Sequence, residues 1–254
     1  MKPDDWTRVL RDRWDDLAAS PYRGFFVASH RGWDDPATWQ AQAEFDAAIA
    51  FHGISPGRRR QMDVLEIGCG VGRLAQVCAP QVRSYTGFDI SAAMVEEARQ
   101  KGVPGGSARF FTGDGMNVPR EAADRRYDLI FALAVFIHLP RVVIASLLAS
   151  SERLLAHDGE LRFQLRADRD DPTGIEGEAP ALECAPPELR QGPPSAEELL
   201  AIDQIGTLAG QGYYMGDAFR YDEVEPFVLA SIPGSRVKLH RYDPEHVYVH
   251  ARRQ

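Results

Sequence analysis

A chain of 254 residues with 44% hydrophobic and 26% charged residues has the composition of an ordinary globular protein and the length of one α/β domain with extensions. The formal net charge of −8 argues against a nucleic-acid partner, which requires a basic surface. Three cysteines indicate neither a disulfide framework nor a metal site. We expect a cytoplasmic protein with no membrane partner, because the first residues lack a secretory-leader pattern and no apolar run could span a bilayer.

The first part of the chain, residues 1–57, predicts a helical cap. Apolar residues recur at helical spacing from Trp6 to Ala18, which predicts a first amphipathic helix. Asp35-Pro36 predicts the N-cap and first residue of a second helix that runs to about Phe51. We interpret the aromatic stretch between them, residues 22–33, as a loop whose side chains pack in the core. Residues 55–60 predict a linker that ends the cap.

A glycine turn follows the first predicted strand. The apolar run that ends at Ile67 is followed by glycines at alternate positions: Gly68, Gly70 and Gly72. A helical pattern then begins, and strand, glycine turn and helix together are typical of nucleotide-binding βα units. The helix amino terminus could offer N–H groups to an anion. The dinucleotide fingerprint requires its third glycine where this chain has Arg73, so an NAD(P)-dependent oxidoreductase is the alternative rather than the first choice.

Further strands are predicted at residues 82–90, 109–115, 127–133 and 159–165, with helices between them. This alternation predicts a doubly wound, mostly parallel α/β sheet, in which ligands bind at the carboxyl ends of the strands. Asp89 ends the second strand, about 20 residues after the glycine turn, where a carboxylate can accept hydrogen bonds from both ribose hydroxyls. The other reading, that Asp89 only caps the following helix, is disfavoured because Ser91 suits that role.

The run from Val64 to Gly72, with Glu66 inside the strand, resembles motif I of the class I S-adenosylmethionine (SAM) dependent methyltransferases. Asp89-Ile90-Ser91 followed by Met94 resembles the second motif of that family. The resemblance covers residues 62–165 and implies a Rossmann-like sheet of seven strands, with SAM as the cofactor. It also implies an antiparallel carboxyl-terminal strand. The cofactor-binding residues that it implies are Glu66, Gly68, Gly70, Gly72, Asp89, Ile90, Met94, Asp114, Gly115 and Leu133.

The resemblance also divides the rest of the chain. Residues 58–165 would form the SAM-binding core, and residues 221–254 would complete its sheet with a helix and a β-hairpin. Residues 166–220 are too long for a plain connection, and in this fold an insertion there lies over the acceptor site as a lid. We expect its Tyr213 and Tyr214 to contact the substrate. The alternative is a surface excursion without a function.

The expected function is transfer of a methyl group from SAM to oxygen or nitrogen of a small organic molecule, in a setting such as bacterial secondary metabolism. His138 follows the fourth strand at the ligand edge, so it is the candidate general base and a candidate substrate contact. Positioning alone is the other possibility, because the SAM methyl group is already activated. Leu133-Ala134-Val135-Phe136 lacks the turn typical of enzymes that methylate nucleic-acid bases. A non-catalytic SAM-binding protein is the non-enzymatic alternative.

Overall fold

The computed structural model describes residues 3–20, 23–28, 34–168, 171, 216–240 and 245–253. The strands of this part of the chain are β1 (Asp63–Ile67), β2 (Ser84–Asp89), β3 (Ala108–Thr112), β4 (Tyr127–Ala132), β5 (Leu155–Ala167), β6 (Ala218–Phe219), β7 (Ser235–His240) and β8 (His246–Arg253). The helices are α1 (Pro3–Ala19), α2 (Arg23–Ala28), α3 (Pro36–Ala50), α4 (Pro56–Arg59), α5 (Arg73–Cys78), α6 (Ala92–Lys101), α7 (Arg141–Glu152) and α8 (Tyr221–Ser231).

The strands form one sheet in the order β3-β2-β1-β4-β5-β8-β7, with the short β6 beside β5. The strands from β3 to β5 in that order are parallel, whereas β8 runs antiparallel to both β5 and β7. The predicted fold class, a doubly wound sheet with an antiparallel carboxyl-terminal strand, is therefore confirmed. The two-residue β6, parallel to β5, adds to the seven predicted strands.

Both faces of the sheet are covered, which explains the near-continuous apolar runs of its central strands. In β1, Leu65 and Ile67 contact one apolar cluster and Val64 contacts the other, because successive side chains point to opposite faces. The cluster on the Leu65 side includes side chains of α7 and α8. The cluster on the Val64 side includes side chains of α3, α5 and α6. Among the described helices, none has the length and apolar character that crossing a membrane requires.

The structure differs from the sequence-based prediction mainly in the cap. The predicted loop of residues 22–33 contains α2, and Val27 of this helix packs against a small cluster of Ala18, Val71 and Met94. These contacts come from three distant segments, so local sequence could not reveal them. The predicted linker contains the single turn α4, which Ser55 caps by accepting a hydrogen bond from the Arg58 N–H at 3.3 Å.

Candidate active site

The glycine turn between β1 and α5 has a left-handed backbone at each of its glycines. At Gly68 a Cβ would collide with the Val135 side chain, so this position accepts only glycine. At Gly70 a Cβ would meet only ordinary contacts, the nearest being Val27 Cγ1 at 3.7 Å. The constraint at Gly70 is therefore its φ of +50°, together with the open space in front of it.

Three amides of this turn are already paired within the protein. The Gly68 and Cys69 N–H groups donate to the Phe88 carbonyl at 2.8 and 3.0 Å. The Gly70 N–H donates to Asp89 Oδ2 at 2.9 Å. A carboxylate of the protein therefore accepts the hydrogen bond of the Gly70 amide.

Asp89 ends β2 and is only 9% exposed. Its Oδ1 accepts a hydrogen bond from the Ser91 N–H at 2.9 Å, while Oδ2 accepts the one from Gly70. Burial raises the pKa of this carboxyl, and the backbone donors Ser91, Gly70 and Ile90 counteract the rise. Since a carboxylate has about four acceptor positions, Asp89 keeps capacity to accept from a ligand hydroxyl. Ser91, not Asp89, caps α6, because its Oγ accepts from the Met94 N–H.

Glu66 lies in β1, and its side chain is buried beside the turn. The Tyr85 hydroxyl donates to Glu66 Oε2 at 2.5 Å. Burial raises the pKa of Glu66 to about 8; the Tyr85 hydrogen bond and the nearby charge of Arg73 oppose this rise. The carboxyl is therefore mostly protonated at neutral pH while no cation lies against it.

Arg73 is a residue of the site to which the sequence analysis assigned no role. Its Nη2 forms an ion pair with Asp46 Oδ2 of α3 at 2.6 Å, and the guanidinium lies 5.9 Å from the Trp39 ring centroid. Nε and Nη1 are buried and have no hydrogen-bond partner among the described residues. The one signal in the sequence was its position, where the dinucleotide fingerprint requires glycine.

The segment after β4 forms another wall of the site. Ala134 has a φ of 56° and is the only non-glycine residue of the described chain with a positive φ. Its N–H donates to Gln164 Oε1 of β5 at 2.8 Å, and Gln164 Nε2 donates to the Tyr248 hydroxyl of β8 at 3.1 Å. Side chains of two neighbouring strands therefore hold this turn in a conformation that costs about 1–2 kcal/mol for an alanine.

These walls enclose a cavity of about 830 Å³, including its open mouth, at the carboxyl ends of the strands. The predicted residues that line it are Glu66, Gly68, Gly70, Asp89, Ile90, Met94, Gly115 and Leu133. The cap contributes Leu10, Trp14 and Val27, which the sequence analysis did not place at the site.

Three predicted site residues lie elsewhere. Gly72 is the N-cap of α5 and does not line the cavity. Asp114 is exposed and caps its own turn, with Oδ1 accepting from the Met116 and Asn117 N–H groups at 2.7 Å each. His138 is only 3% exposed and does not line the cavity. Its imidazole contacts the Trp14 ring edge-to-face at 5.5 Å between ring centroids.

The other predicted substrate contacts, Tyr213 and Tyr214, lie outside the described residues. The chain that follows them is anchored beside the turn of His138. The Gly216 N–H donates to the Ile137 carbonyl at 2.7 Å, and Asp217 Oδ2 accepts from the Arg141 N–H at 2.8 Å. In the part of the chain that the structure describes, no group of three or more His, Cys, Asp or Glu side chains could hold a metal ion.

The order of the strands, the glycine turn after β1 and the Asp89 carboxylate at the end of β2 together define an α/β protein of the class I methyltransferase fold. Residues 64–159 match a family model described as a methyltransferase domain. This match confirms the recognition made from the sequence, namely that the chain resembles the class I SAM-dependent methyltransferases.

Individual relatives agree with this class. The ubiquinone biosynthesis O-methyltransferase of Pseudomonas aeruginosa is 29% identical over 149 residues, which cover 54% of this chain and 58% of that protein. The malonyl-[acyl-carrier protein] O-methyltransferase 1 of Ilyobacter polytropus is 35% identical over 82 residues, 32% of this chain and 30% of that protein. The chain thus spans less than two thirds of the length of these curated relatives.

A solved structure shows the same fold over nearly the whole chain. The magnesium protoporphyrin IX methyltransferase of Synechocystis PCC 6803, crystallised with bound S-adenosylhomocysteine, has a TM-score of 0.56. The likeness covers 98% of this chain and 99% of that chain, at 19% sequence identity. At this identity the likeness concerns the fold alone.

Proposed function

We propose that this protein is a SAM-dependent methyltransferase that acts on oxygen or nitrogen of a small organic molecule. The observation that carries the proposal is the Asp89 carboxylate, which is buried at the end of β2 and takes the Gly70 amide. It keeps acceptor capacity for ribose hydroxyls. The antiparallel β8 beside β5 disfavours the NAD(P)-dependent oxidoreductase, whose sheet lacks such a strand.

The lining of the cavity fits the parts of SAM. Asp89 would accept from the ribose hydroxyls, and Ile90 and Met94 offer apolar surface to the adenine. Glu66 lies further along the same cavity and would face the cationic amino-acid end, which a carboxylate can stabilise. Asp114 would reach the adenine amine only if its turn opened, since its oxygens already accept hydrogen bonds within that turn.

Bound SAM supplies an electrophilic methyl group, so the chain's own task is to align the acceptor and exclude water. Leu10, Trp14 and Val27 of the cap give the cavity an apolar wall, which suits a small organic acceptor. Among the acceptor atoms, oxygen has the additional support that the curated relatives above are O-methyltransferases. A place in bacterial secondary metabolism stays a prediction.

Calorimetry with SAM, S-adenosylhomocysteine, NAD⁺ and NADP⁺ tests the cofactor. We expect the two adenosyl ligands to bind and the dinucleotides not to bind. Asp89→Ala should weaken SAM binding by about 30- to 1,000-fold, since charge-assisted hydrogen bonds to two hydroxyls are lost.

The matched control is Asp128→Ala at the opposite edge of the sheet. Asp128 Oδ2 also accepts a backbone hydrogen bond, from the Asp63 N–H at 2.8 Å, but Asp128 lies at the amino end of β4. We expect it to leave SAM affinity unchanged. Equal losses in both variants, or none in Asp89→Ala, would contradict the assignment of Asp89.

Catalysis is tested separately from binding. Methyl-labelled SAM is incubated with a panel of phenols, carboxylic acids and amines, and labelled product is measured. Transfer to one chemical class supports the methyltransferase and names the acceptor atom. If the full chain binds SAM but transfers the methyl group to none of these acceptors, the result would favour the non-catalytic SAM-binding protein.

A further inference from the structure

One wall of the cavity is held from outside by a distant part of the chain. Leu139, just before α7, and Leu147 of α7 both line the cavity, and together they form what we call the α7 wall. Neither is one of the residues proposed to bind SAM, so this wall belongs to the part of the cavity that is left for the acceptor. The contacts that fix its position therefore bear on which acceptors fit.

Gly216 approaches the backbone of this wall more closely than any other residue type could. Its N–H donates to the Ile137 carbonyl at 2.7 Å, and the Asp217 N–H donates to the Leu139 carbonyl at 3.3 Å. A Cβ at Gly216 would lie 2.5 Å from the Leu139 nitrogen and 2.8 Å from the Ile137 oxygen. These are backbone atoms, which no side-chain rotation can move away. Since Gly216 does not have a positive φ, the close approach alone requires glycine here.

Asp217 holds the start of α7 in the same place. Pro140, the N-cap residue of α7, makes no side-chain hydrogen bond to the helix. Asp217 Oδ2 instead accepts from the Arg141 N–H at 2.8 Å, and its charge faces the positive end of the helix dipole. Arg141 Nη2 in turn donates to the Ala218 carbonyl at 2.9 Å, and its guanidinium lies 4.2 Å from the Phe219 ring centroid. Helix and segment are therefore joined in both directions.

The segment that supports the α7 wall is itself fixed to the sheet. It continues directly into β6, which pairs with the end of β5. The Asp168 N–H, just after β5, donates to the Phe219 carbonyl at 2.9 Å. Leu139 lines the cavity, whereas Gly216 does not. A larger residue at Gly216 would therefore push Leu139 toward the cavity, because the sheet prevents the segment from moving the other way.

We propose that Gly216 and Asp217 are positioning residues that set the acceptor selectivity of methyl transfer by fixing the α7 wall. The inference rests on the proposed function and assigns the choice among acceptors to residues that do not line the cavity themselves. Methyl transfer requires the acceptor atom to be aligned with the SAM methyl group, and a displaced wall disturbs larger acceptors more than smaller ones. An apolar pocket distinguishes substrates that differ by one methylene group by about 10- to 200-fold.

The test uses the acceptor that the panel identifies and its homologue with one additional methylene group. We would measure kcat/KM for both on the wild-type chain, Gly216→Ala and the control Gly57→Ala. Gly57 lies in α4, and a Cβ there would have no heavy atom within 4 Å. The ratio of the two kcat/KM values does not depend on the fraction of folded enzyme, so a loss of stability alone would not change it.

For Gly216→Ala we expect this ratio to shift by about tenfold in favour of the smaller acceptor. Affinity for S-adenosylhomocysteine, measured by calorimetry, should change less than about threefold. Gly57→Ala should leave both quantities as they are in the wild-type chain.

If Gly216→Ala does not fold, Asp217→Ala decides. It removes the carboxylate that holds the start of α7, so the wall can recede, and we expect the ratio to shift by about three- to tenfold in favour of the larger acceptor. Asp217→Asn should restore the wild-type ratio, because its amide oxygen can still accept from the Arg141 N–H.

A ratio that stays unchanged in the folded variants, or that shifts equally in Gly57→Ala, would overturn the inference and leave the methyltransferase assignment in place. A shift of Gly216→Ala in favour of the larger acceptor would also overturn it. A wild-type chain that transfers the methyl group to no acceptor would overturn the proposed function and the inference with it.

Discussion

At the scale of single residues, we expect Glu66 to make cofactor binding depend on pH. Its pKa of about 8 reflects burial, so the empty site holds a proton at neutral pH. The cationic end of SAM beside the carboxyl should lower this pKa, and binding should release the proton. We expect SAM affinity to rise with pH between about 6.5 and 8, by up to tenfold per unit, and to level off above about 8.

Calorimetry at several pH values, in two buffers with different ionisation enthalpies, measures both the affinity and the proton released. Glu66→Gln is the control, because the amide oxygen can still accept from Tyr85 but cannot titrate. Its SAM affinity should not vary with pH over this range. Binding without proton release in the wild-type chain would contradict the assignment.

His138 was the sequence-based candidate for a general base, and this role stays a prediction. The structure places it behind Trp14 rather than at the cavity wall, which favours positioning over proton transfer. We therefore expect His138→Ala to lower kcat by less than about tenfold and to leave SAM affinity unchanged. A fall of about 10²–10⁴-fold in kcat alone would instead identify a base. Steady-state kinetics with the acceptor that the panel identifies, together with calorimetry of SAM binding, distinguishes a positioning role from a general base.

At the scale of elements, the turn after β4 depends on strands that are distant in sequence. The Gln164 side chain holds Ala134 in its left-handed conformation, which keeps Leu133 and Val135 at the cavity. Gln164→Leu should let the turn relax and weaken S-adenosylhomocysteine binding by about 5- to 30-fold, the equivalent of an alanine's cost in that conformation. The double variant Gln164→Leu/Ala134→Gly should recover most of the affinity, because glycine adopts this backbone without cost.

Tyr248→Phe is the control for this pair, since it removes the bond to Gln164 Nε2 but leaves the bond to Ala134. It should change the affinity little. If the glycine does not rescue Gln164→Leu, the loss comes from the packing of the Gln164 side chain, and the account of the strained turn is wrong.

At the scale of the whole molecule, the buried Glu66 and the partly buried His250 make stability depend on pH in opposite directions. The pKa of His250 is lowered to about 3 by burial and by the neighbouring Arg162, His240, His52 and Lys238. The unfolded chain therefore binds a proton near pH 6.5 that the folded chain does not, and His250 costs stability as the pH falls below that value. Glu66, with its raised pKa, costs stability as the pH rises from about 4.5 to 8.

Because the two effects overlap, each variant is compared with the wild-type chain at the same pH. His250→Gln should gain stability relative to wild type as the pH falls from 7.5 to 5, on the order of 1 kcal/mol. Urea unfolding at the two pH values measures this difference. His157→Gln is the matched control, since its side chain is 98% exposed and its replacement should change little. A gain of the same size in both variants would contradict the role of His250.

The sequence by itself determined the βα alternation, the glycine turn and Asp89. These follow from local patterns, namely apolar runs covered on both faces, glycines that must adopt left-handed φ, and a carboxylate at a strand end. The placement of most of the predicted cofactor residues around one cavity follows from them, because parallel strands bring their carboxyl ends to one edge.

Only the tertiary structure decided how the individual groups behave. The raised pKa of Glu66 depends on burial by surrounding elements, and the unpaired donors of Arg73 depend on where α3 places Asp46. Trp14 of α1 stands against His138, and Gln164 of β5 holds Ala134, across more than twenty residues of sequence in each case. Protonation, pairing and strain are set by neighbours in space, and no periodicity along a chain specifies which distant side chains become neighbours.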